Sequence, residues 1–270
     1  MPTQPRDITY PIQLTTAELA FLLTLVHATT LQGGDDRALF PAAETERDAL
    51  WLQGREQLIA DGWLVREPDR EVYAINDQLL LLIAALAAPE VVLLTERKTA
   101  TATFGVAHYI ALESVIELVM QPGTYELIAL VDQSTMALRL AHSFGLAAKS
   151  PPNAVVSLTR QDAAHAKRQP DAGWLVSRGI QPAAAQLFAH TMQNIAQSGT
   201  ISVLRTVLGE AVTMRLVGIV VAPDGVGWWA VPVNEERLQY TSCNDNEFAL
   251  HLVALIDELR ALPIAASLPG

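Results

Sequence analysis

Val212–Val233 reads VTMRLVGIVVAPDGVGWWAVPV, and it decides the fold class. Two runs rich in β-branched and aromatic residues flank Pro223-Asp224-Gly225. Proline presets one turn dihedral and glycine supplies the positive one, so the stretch predicts a β-hairpin. A second stretch, Val115–Val131, reads VIELVMQPGTYELIALV and predicts another hairpin around Gln121-Pro122-Gly123-Thr124. A shift of 103 residues lays Tyr125 on Trp228 and one turn on the other.

Outward from each hairpin the same order of elements recurs. Asp77–Arg168 reads as helix, strand, hairpin, strand, helix, and so does Pro182–Ala261. The first run takes Val91–Glu96 and Met136–His142 as its outer strands, the second Thr200–Val207 and Leu238–Ser242. The residues themselves do not match, so the repetition is one of pattern. It is either a true doubling or an accident of a hairpin-rich chain. The expected fold is α+β over a single domain, 1–270: a central, mostly antiparallel sheet with quasi-two-fold repeated halves (77–168 and 182–261), flanked by helices.

Capping signals fix the helices. Thr15-Thr16-Ala17-Glu18 is a capping box, with Leu19, Leu22, Leu23 and Val26 on one face of the helix that follows. The strand before it, Ile8–Leu14, contains Pro11, which suits an edge position. A second helix starts near Thr45 and Asp48 and closes at Gly62. Two short extended pieces then turn at Pro68-Asp69. Asn76 or Asp77 opens a third helix through Leu86. Pro182 opens the helix to Gln197, and Asn244 or Asp245 opens Glu247–Ala261, which Pro263 follows.

Composition removes whole classes of function. Half of the residues are hydrophobic, as in a globular chain, and the net charge is −11 from 18 basic and 29 acidic residues. Nucleic-acid affinity comes largely from cations that neutralise phosphate, and anionic membranes also select cations. No nucleic-acid and no membrane partner is therefore expected. The longest apolar run, Leu79–Ala88, is about half a membrane span and stops at Pro89. The single cysteine, Cys243, leaves no intramolecular disulfide, and the first residues lack a signal-peptide core, so a cytoplasmic location is expected.

No catalytic motif is legible. The six histidines show no HxH or HxxxH pair, and no CxxC, GxSxG, P-loop or GxGxxG occurs. Gly225-Val226-Gly227 lies between strands and opens no helix, so it aims no row of N–H groups at a phosphate. No catalytic residue, metal site or cofactor is expected. The reading is a protein-binding molecule and not an enzyme.

Three segments bear on binding. Glu44–Ile75, a helix followed by a short hairpin, imitates a winged-helix ending, and with the helix before it suggests a DNA-binding domain, but Thr15–Asp77 carries 12 acids against 5 arginines. Trp228 and Trp229 are adjacent in a strand, so they face opposite sides. One enters the core, and the other is either a partner anchor or covered by a further element. Arg97–Leu112 reads as an irregular connection, long for a link between strands. Phe104, His108, Tyr109 and Ile110 within it are candidate partner contacts, the alternative being an edge strand with Phe104 and Tyr109 turned inward.

The order of elements resembles the EspG family of cytosolic chaperones from the type VII (ESX) secretion systems of actinobacteria. The likeness is carried by Asp7-Ile8-Thr9-Tyr10 running into Leu19-Ala20-Phe21-Leu22-Leu23, and by Leu86-Ala87-Ala88-Pro89-Glu90-Val91-Val92-Leu93-Leu94. The first hairpin and the unit from Gly227-Trp228-Trp229-Ala230 to Asp257-Glu258-Leu259 also carry it. The resemblance implies a non-enzymatic chaperone that holds a helical, PE/PPE-like substrate in the cytosol before export. By position, Arg97–Leu112 would correspond to the family's substrate-contacting loop. The competing reading is an acidic winged-helix-like transcriptional regulator with a ligand- or protein-binding C-terminal part. An enzyme whose site shows no motif is the third.

Overall fold

The structure is a computed structural model that describes residues 4–66, 73–149, 153–207 and 210–262. In chain order the elements are β1 (Ile12–Thr15), α1 (Thr16–Leu25), α2 (Asp36–Leu39), α3 (Glu44–Ala60), β2 (Leu64–Arg66), β3 (Tyr73–Ile75) and α4 (Asp77–Ala87). Next come β4 (Val91–Lys98), β5 (Thr103–Ala111), β6 (Ser114–Gln121), β7 (Thr124–Leu130), α5 (Gln133–Ser143), β8 (Val155–Thr159), α6 (Arg160–Arg168) and α7 (Ala172–Ser177). The chain ends with α8 (Pro182–Gln193), β9 (Gln197–Val207), β10 (Glu210–Val221), β11 (Gly227–Pro232), β12 (Arg237–Cys243) and α9 (Asp245–Ala261). The expected turn at Pro68-Asp69 and the stop at Pro263 lie outside the described residues.

Ten strands form one sheet in the order β1-β7-β6-β5-β4-β9-β10-β11-β12-β8, and β2 and β3 form a separate pair. Every pairing with a resolved register is antiparallel. The order reads alike from both ends: an edge strand, then a four-strand meander run backwards. It is an α+β fold with a large antiparallel sheet and flanking helices. A helix, a four-strand meander and a helix occur as α4 to α5 and again as α8 to α9. Within this order β6–β7 is the last pair of its meander, whereas β10–β11 is the middle pair of the other. The 103-residue shift therefore superposes turns that hold different places in the topology.

Two expected elements are corrected. Met136–His142 is not a strand but part of α5, which buries Met136, Ala137, Leu140 and Ala141, a helical spacing. Arg97–Leu112 is neither an irregular loop nor an edge strand. It ends β4, turns at 99–102 and becomes β5, which lies between β6 and β4.

The described residues divide into two compact units. The first takes those up to Leu94, Val106–Asp132 and Leu204–Thr213; the second takes Thr95–Gly105, Gln133–Val203 and Met214 onward. In the first unit, both halves of the Thr15–Glu18 capping box form and start α1. Leu19, Leu22 and Leu23 of α1 pack with Leu79, Ile83 and Leu86 of α4, and with Tyr109, Ile116 and Leu127 of the sheet. Gly62, at φ +77°, closes α3: its own N–H reaches Ile59 O and the N–H of Trp63 reaches Leu58 O.

In the second unit, Asn244 and Glu247 form the capping box of α9, and Pro182 sits in the first turn of α8. The core under α6, α7 and α8 gathers Val156, Leu158, Leu175, Ala185, Phe188 and Trp228. Phe144, just past α5, meets Phe248 of α9 with ring centroids 6.2 Å apart. Among the described residues no helix is long and apolar enough to cross a membrane.

Candidate functional site

In the second unit the sheet carries a groove that encloses about 370 Å³. Its shape follows from side-chain size along one cross-strand row. Gly218 of β10 lies opposite Ala230 of β11, which lies opposite Tyr240 of β12. Two of these three side chains are minimal, so the floor is sunk where neighbouring strands present bulk. A Cβ on Gly218 would sit 3.4 Å from that of Ala230, so even alanine there would shallow the floor.

The wall behind the floor is rigid. Phe188 of α8 meets Trp228 and Tyr240 edge-on, at 4.9 Å between centroids in each case. Trp228 in turn donates its indole N–H to Thr191 Oγ1 at 3.1 Å. The open side is apolar. Leu216, which lines the groove, is 45% exposed, and Ile195 is 37% exposed. Met214, two residues before Leu216 on the same face of β10, is 58% exposed. These three side chains keep apolar area in water beside an apolar trough, the arrangement expected where a partner's side chains enter.

Charges ring the groove. Lys98 at the end of β4 pairs with Glu96 at 2.8 Å, and both line it. Arg160 and Lys167 of α6 line it from the other side, with Ala163 between them. The Arg160 Nε–H donates to Glu235 O at 2.6 Å, which holds the guanidinium at the rim.

Five of the six expected contacts are inside the protein. His108, Tyr109 and Ile110 are fully buried, as is Trp228, and Trp229 is nearly so. β5 is paired along both edges by β6 and β4, and both of its faces are buried at these positions, Tyr109 packing with residues of α1 and α4. The Tyr109 hydroxyl donates to Gln32 O at 2.6 Å, and burial raises its pKa. His108 Nε2 lies 3.0 Å from Glu117 Oε2 across the β5–β6 ladder. The two tryptophans do face opposite sides, and a helix covers each. Trp228 lies under α8, while Trp229 packs on Phe248 and His251 of α9 at 5.5 and 5.7 Å. The partner contacts assigned to these five residues are thus corrected: a helix or a strand already occupies their surfaces.

Phe104 alone is exposed, and the Arg97 guanidinium lies 4.5 Å from its ring centroid. Arg97 turns to the face opposite Lys98 and donates to Ser143 O at 2.5 Å and Gln197 Oε1 at 3.1 Å. Phe104 therefore does not belong to the groove. The groove was missed because its residues come from β4, α6, α8, β9, β10, β11 and β12, with no local motif. The available signal was Val212, Met214 and Leu216, three apolar side chains on one face of a strand.

The winged-helix order α1, α2, α3, β2, β3 is present in the first unit. The exposed side of α3 carries Glu44, Glu46, Asp48 and Glu56, a surface that repels phosphate. Cys243 is buried, and burial together with the charge of Glu247 pushes its thiol up to about 12, so it is no nucleophile at neutral pH. Among the described residues no three His, Cys, Asp or Glu side chains gather where they could hold a metal ion.

No protein-family model matches the chain, and no curated protein matches it in sequence. Among solved structures it is similar to the Mycobacterium tuberculosis type VII secretion system chaperone EspG5, in a complex with the PE25–PPE41 dimer. The TM-score is 0.62 at 12% identity, over 94% of this chain and 97% of that chain. The chain therefore shares the EspG-type fold over nearly all of its length.

Proposed function

We propose that this protein is a non-enzymatic, cytoplasmic chaperone of type VII secretion that holds a helical, PE/PPE-type substrate before export. The observation that carries the reading is the match of nearly the whole chain to EspG5, whose partner in that structure is the PE25–PPE41 dimer. The groove of the second unit supports the reading: it has an aromatic wall, a sunken floor and the exposed apolar Leu216, with Met214 exposed nearby on the same strand.

Helical tips suit such a trough. A turn between two helices presents a few apolar side chains on a narrow front, and a groove of this kind takes them with little rearrangement. The test is co-expression of the chain with each PE–PPE-type pair encoded in its own genome. The expected result is a complex of fixed stoichiometry in size-exclusion chromatography with light scattering. Leu216→Asp should abolish that complex without lowering the melting temperature, because Leu216 is half in water already. If no pair co-purifies, or if Leu216→Asp leaves the complex intact, the chaperone reading or its placement in the groove fails, respectively.

A further inference from the structure

We infer that the first half of β10 is an edge that takes an added strand: an extended segment of another protein, apolar at alternate positions, with a carboxylate opposite Arg215 and a cation opposite Glu210. The inference rests on the backbone of one strand and not on the chaperone reading. β11 pairs with β10 only over Gly218–Val221. The next pair in that ladder would be Leu216 with Pro232, and proline has no N–H to give. After Pro232 the chain turns back at 233–236, where the N–H of Val233 donates to Arg237 O. Glu210–Val217 therefore runs on with β9 along one side and no strand along the other.

The phase of the ladder tells which groups are open. Val221 O accepts from the N–H of Ala196, just before β9, and the N–H of Ala222 donates to Val226 O on the β11 side. Counting back in twos, the N–H and C=O groups of Glu210, Val212, Met214 and Leu216 point away from β9. They form an open row about 20 Å long. Native sheets blunt such an edge with lysine, proline or a bulge. Here Val212, Met214 and Leu216 are apolar and exposed, and Ala211 and Arg215 on the other face are exposed too. A strand added antiparallel gains main-chain bonds from the row, an apolar ladder on one face and a charge on the other. The Arg215 guanidinium bonds only to Met214 O, at 3.5 Å, among the described residues, so that charge is open to a carboxylate. A second copy of the chain fits worse. A two-fold axis through Thr213 would overlap the two open rows fully, but it sets Glu210 against Leu216 of the copy and Arg215 against Ala211, and neither charge meets its opposite.

The test uses a capped, fluorescently labelled peptide of the sequence valine, glutamate, isoleucine, threonine, valine, alanine, lysine. Laid antiparallel, it sets its glutamate opposite Arg215, its isoleucine opposite Met214 and its lysine opposite Glu210. Fluorescence anisotropy against the full chain should show saturable binding of one peptide per chain. N-methylation of the isoleucine, whose N–H faces β10, should weaken binding at least about tenfold. N-methylation of the threonine, whose N–H faces away, should leave it nearly unchanged. Val212→Pro removes one outward N–H and leaves the β9 side alone, so it should weaken binding about as much without lowering the melting temperature. Arg215→Glu should cost about threefold, regained when the peptide's glutamate is changed to lysine. Failure of the peptide to bind would overturn the inference. So would equal losses on methylating either residue, because apolar adhesion has no strand phase. A chain that is dimeric by light scattering, and monomeric as Val212→Pro, would give the edge to a second copy and overturn the choice of partner.

Discussion

Replacing Gly54 by alanine sets two effects of opposite sign against each other. Gly54 is buried in the middle of α3, where alanine is the better helix former by about 1 kcal/mol. Propensity alone predicts a more stable protein. The packing predicts otherwise. A Cβ on Gly54 would lie 2.0 Å from Ala17 O and 2.5 Å from Ala17 C, both backbone atoms of α1. Backbone cannot swing aside as a side chain does, so the two helices would have to part by roughly 1.5 Å to reach a normal contact. That separation loosens Leu19, Leu22 and Leu58, each fully buried now. Overpacking of this kind costs about 1–3 kcal/mol, and the upper end applies when backbone is the obstacle. Subtracting the propensity gain leaves a net loss of about 2 kcal/mol, or about 5 °C in melting temperature for a chain of this size. Circular dichroism during heating, with urea titration alongside, measures both. Gly105 is the control: nothing lies within 4 Å of a Cβ there, so Gly105→Ala should not lower the melting temperature. A Gly54→Ala protein as stable as the wild type would refute the close approach of α1 and α3.

Other outcomes follow from single contacts. With its thiol pushed up to about 12, Cys243 should leave a disulfide reagent unreacted at pH 8 until the protein is unfolded in urea; rapid stoichiometric labelling of the native protein would contradict its burial. Thr191→Val should strand the buried indole N–H of Trp228 and cost about 1–3 kcal/mol in urea titration; an unchanged midpoint would show that this bond is not formed. The Glu18 carboxyl is raised above its ordinary value, first by burial, with the Asp61 charge adding to this and the bonds to Thr15 opposing it. The folded state then holds the proton more readily than the unfolded one, so stability should fall as pH rises from the ordinary glutamate value through the raised one. Glu18→Gln keeps the capping acceptor and removes the titration, so its stability should lack that downward slope. Parallel stability–pH curves for the two proteins would rule the explanation out.

What was legible in the sequence was mostly local chemistry. Thr15 with Glu18, Asn244 as one of the two cap residues expected for the last helix, Pro182, Gly62 and the turns at Gly123 and Gly225 each act within a few residues, and each stands where the sequence puts it. The failures have a common physical cause. A strand whose two faces are both covered by packed elements need not alternate, so β5, with His108, Tyr109 and Ile110 buried in succession, reads as irregular or only partly strand-like. Met136–His142 errs the other way. Leu138 and Leu140 two apart imitate alternation, whereas the buried set Met136, Ala137, Leu140 and Ala141 follows the helical period. The groove was invisible for a different reason. Its floor depends on Gly218 meeting Ala230, and its rim on Lys98 and Lys167 lining the same trough, and only the paired strands and packed helices bring such residues together. The order of helices and strands was enough to suggest the EspG-type fold, because order survives where residue identity does not.

The mirrored strand order also dictates a sequence of events in folding. Within each meander the strands follow one another along the chain, so their contacts close short loops, and low contact order makes them early. The two outermost strands are different. Ile12 of β1 must find Leu127, and Val156 of β8 must find Tyr240, each across a long stretch of intervening chain. Loop closure of that length is slow relative to hairpin formation. Until β1 and β8 dock, the outer sides of β7 and β12 are rows of unpaired amides and carbonyls, open to any other nascent chain. Docking of β1 and β8 replaces those rows with the two shortest strands of the sheet, which offer another chain fewer backbone groups.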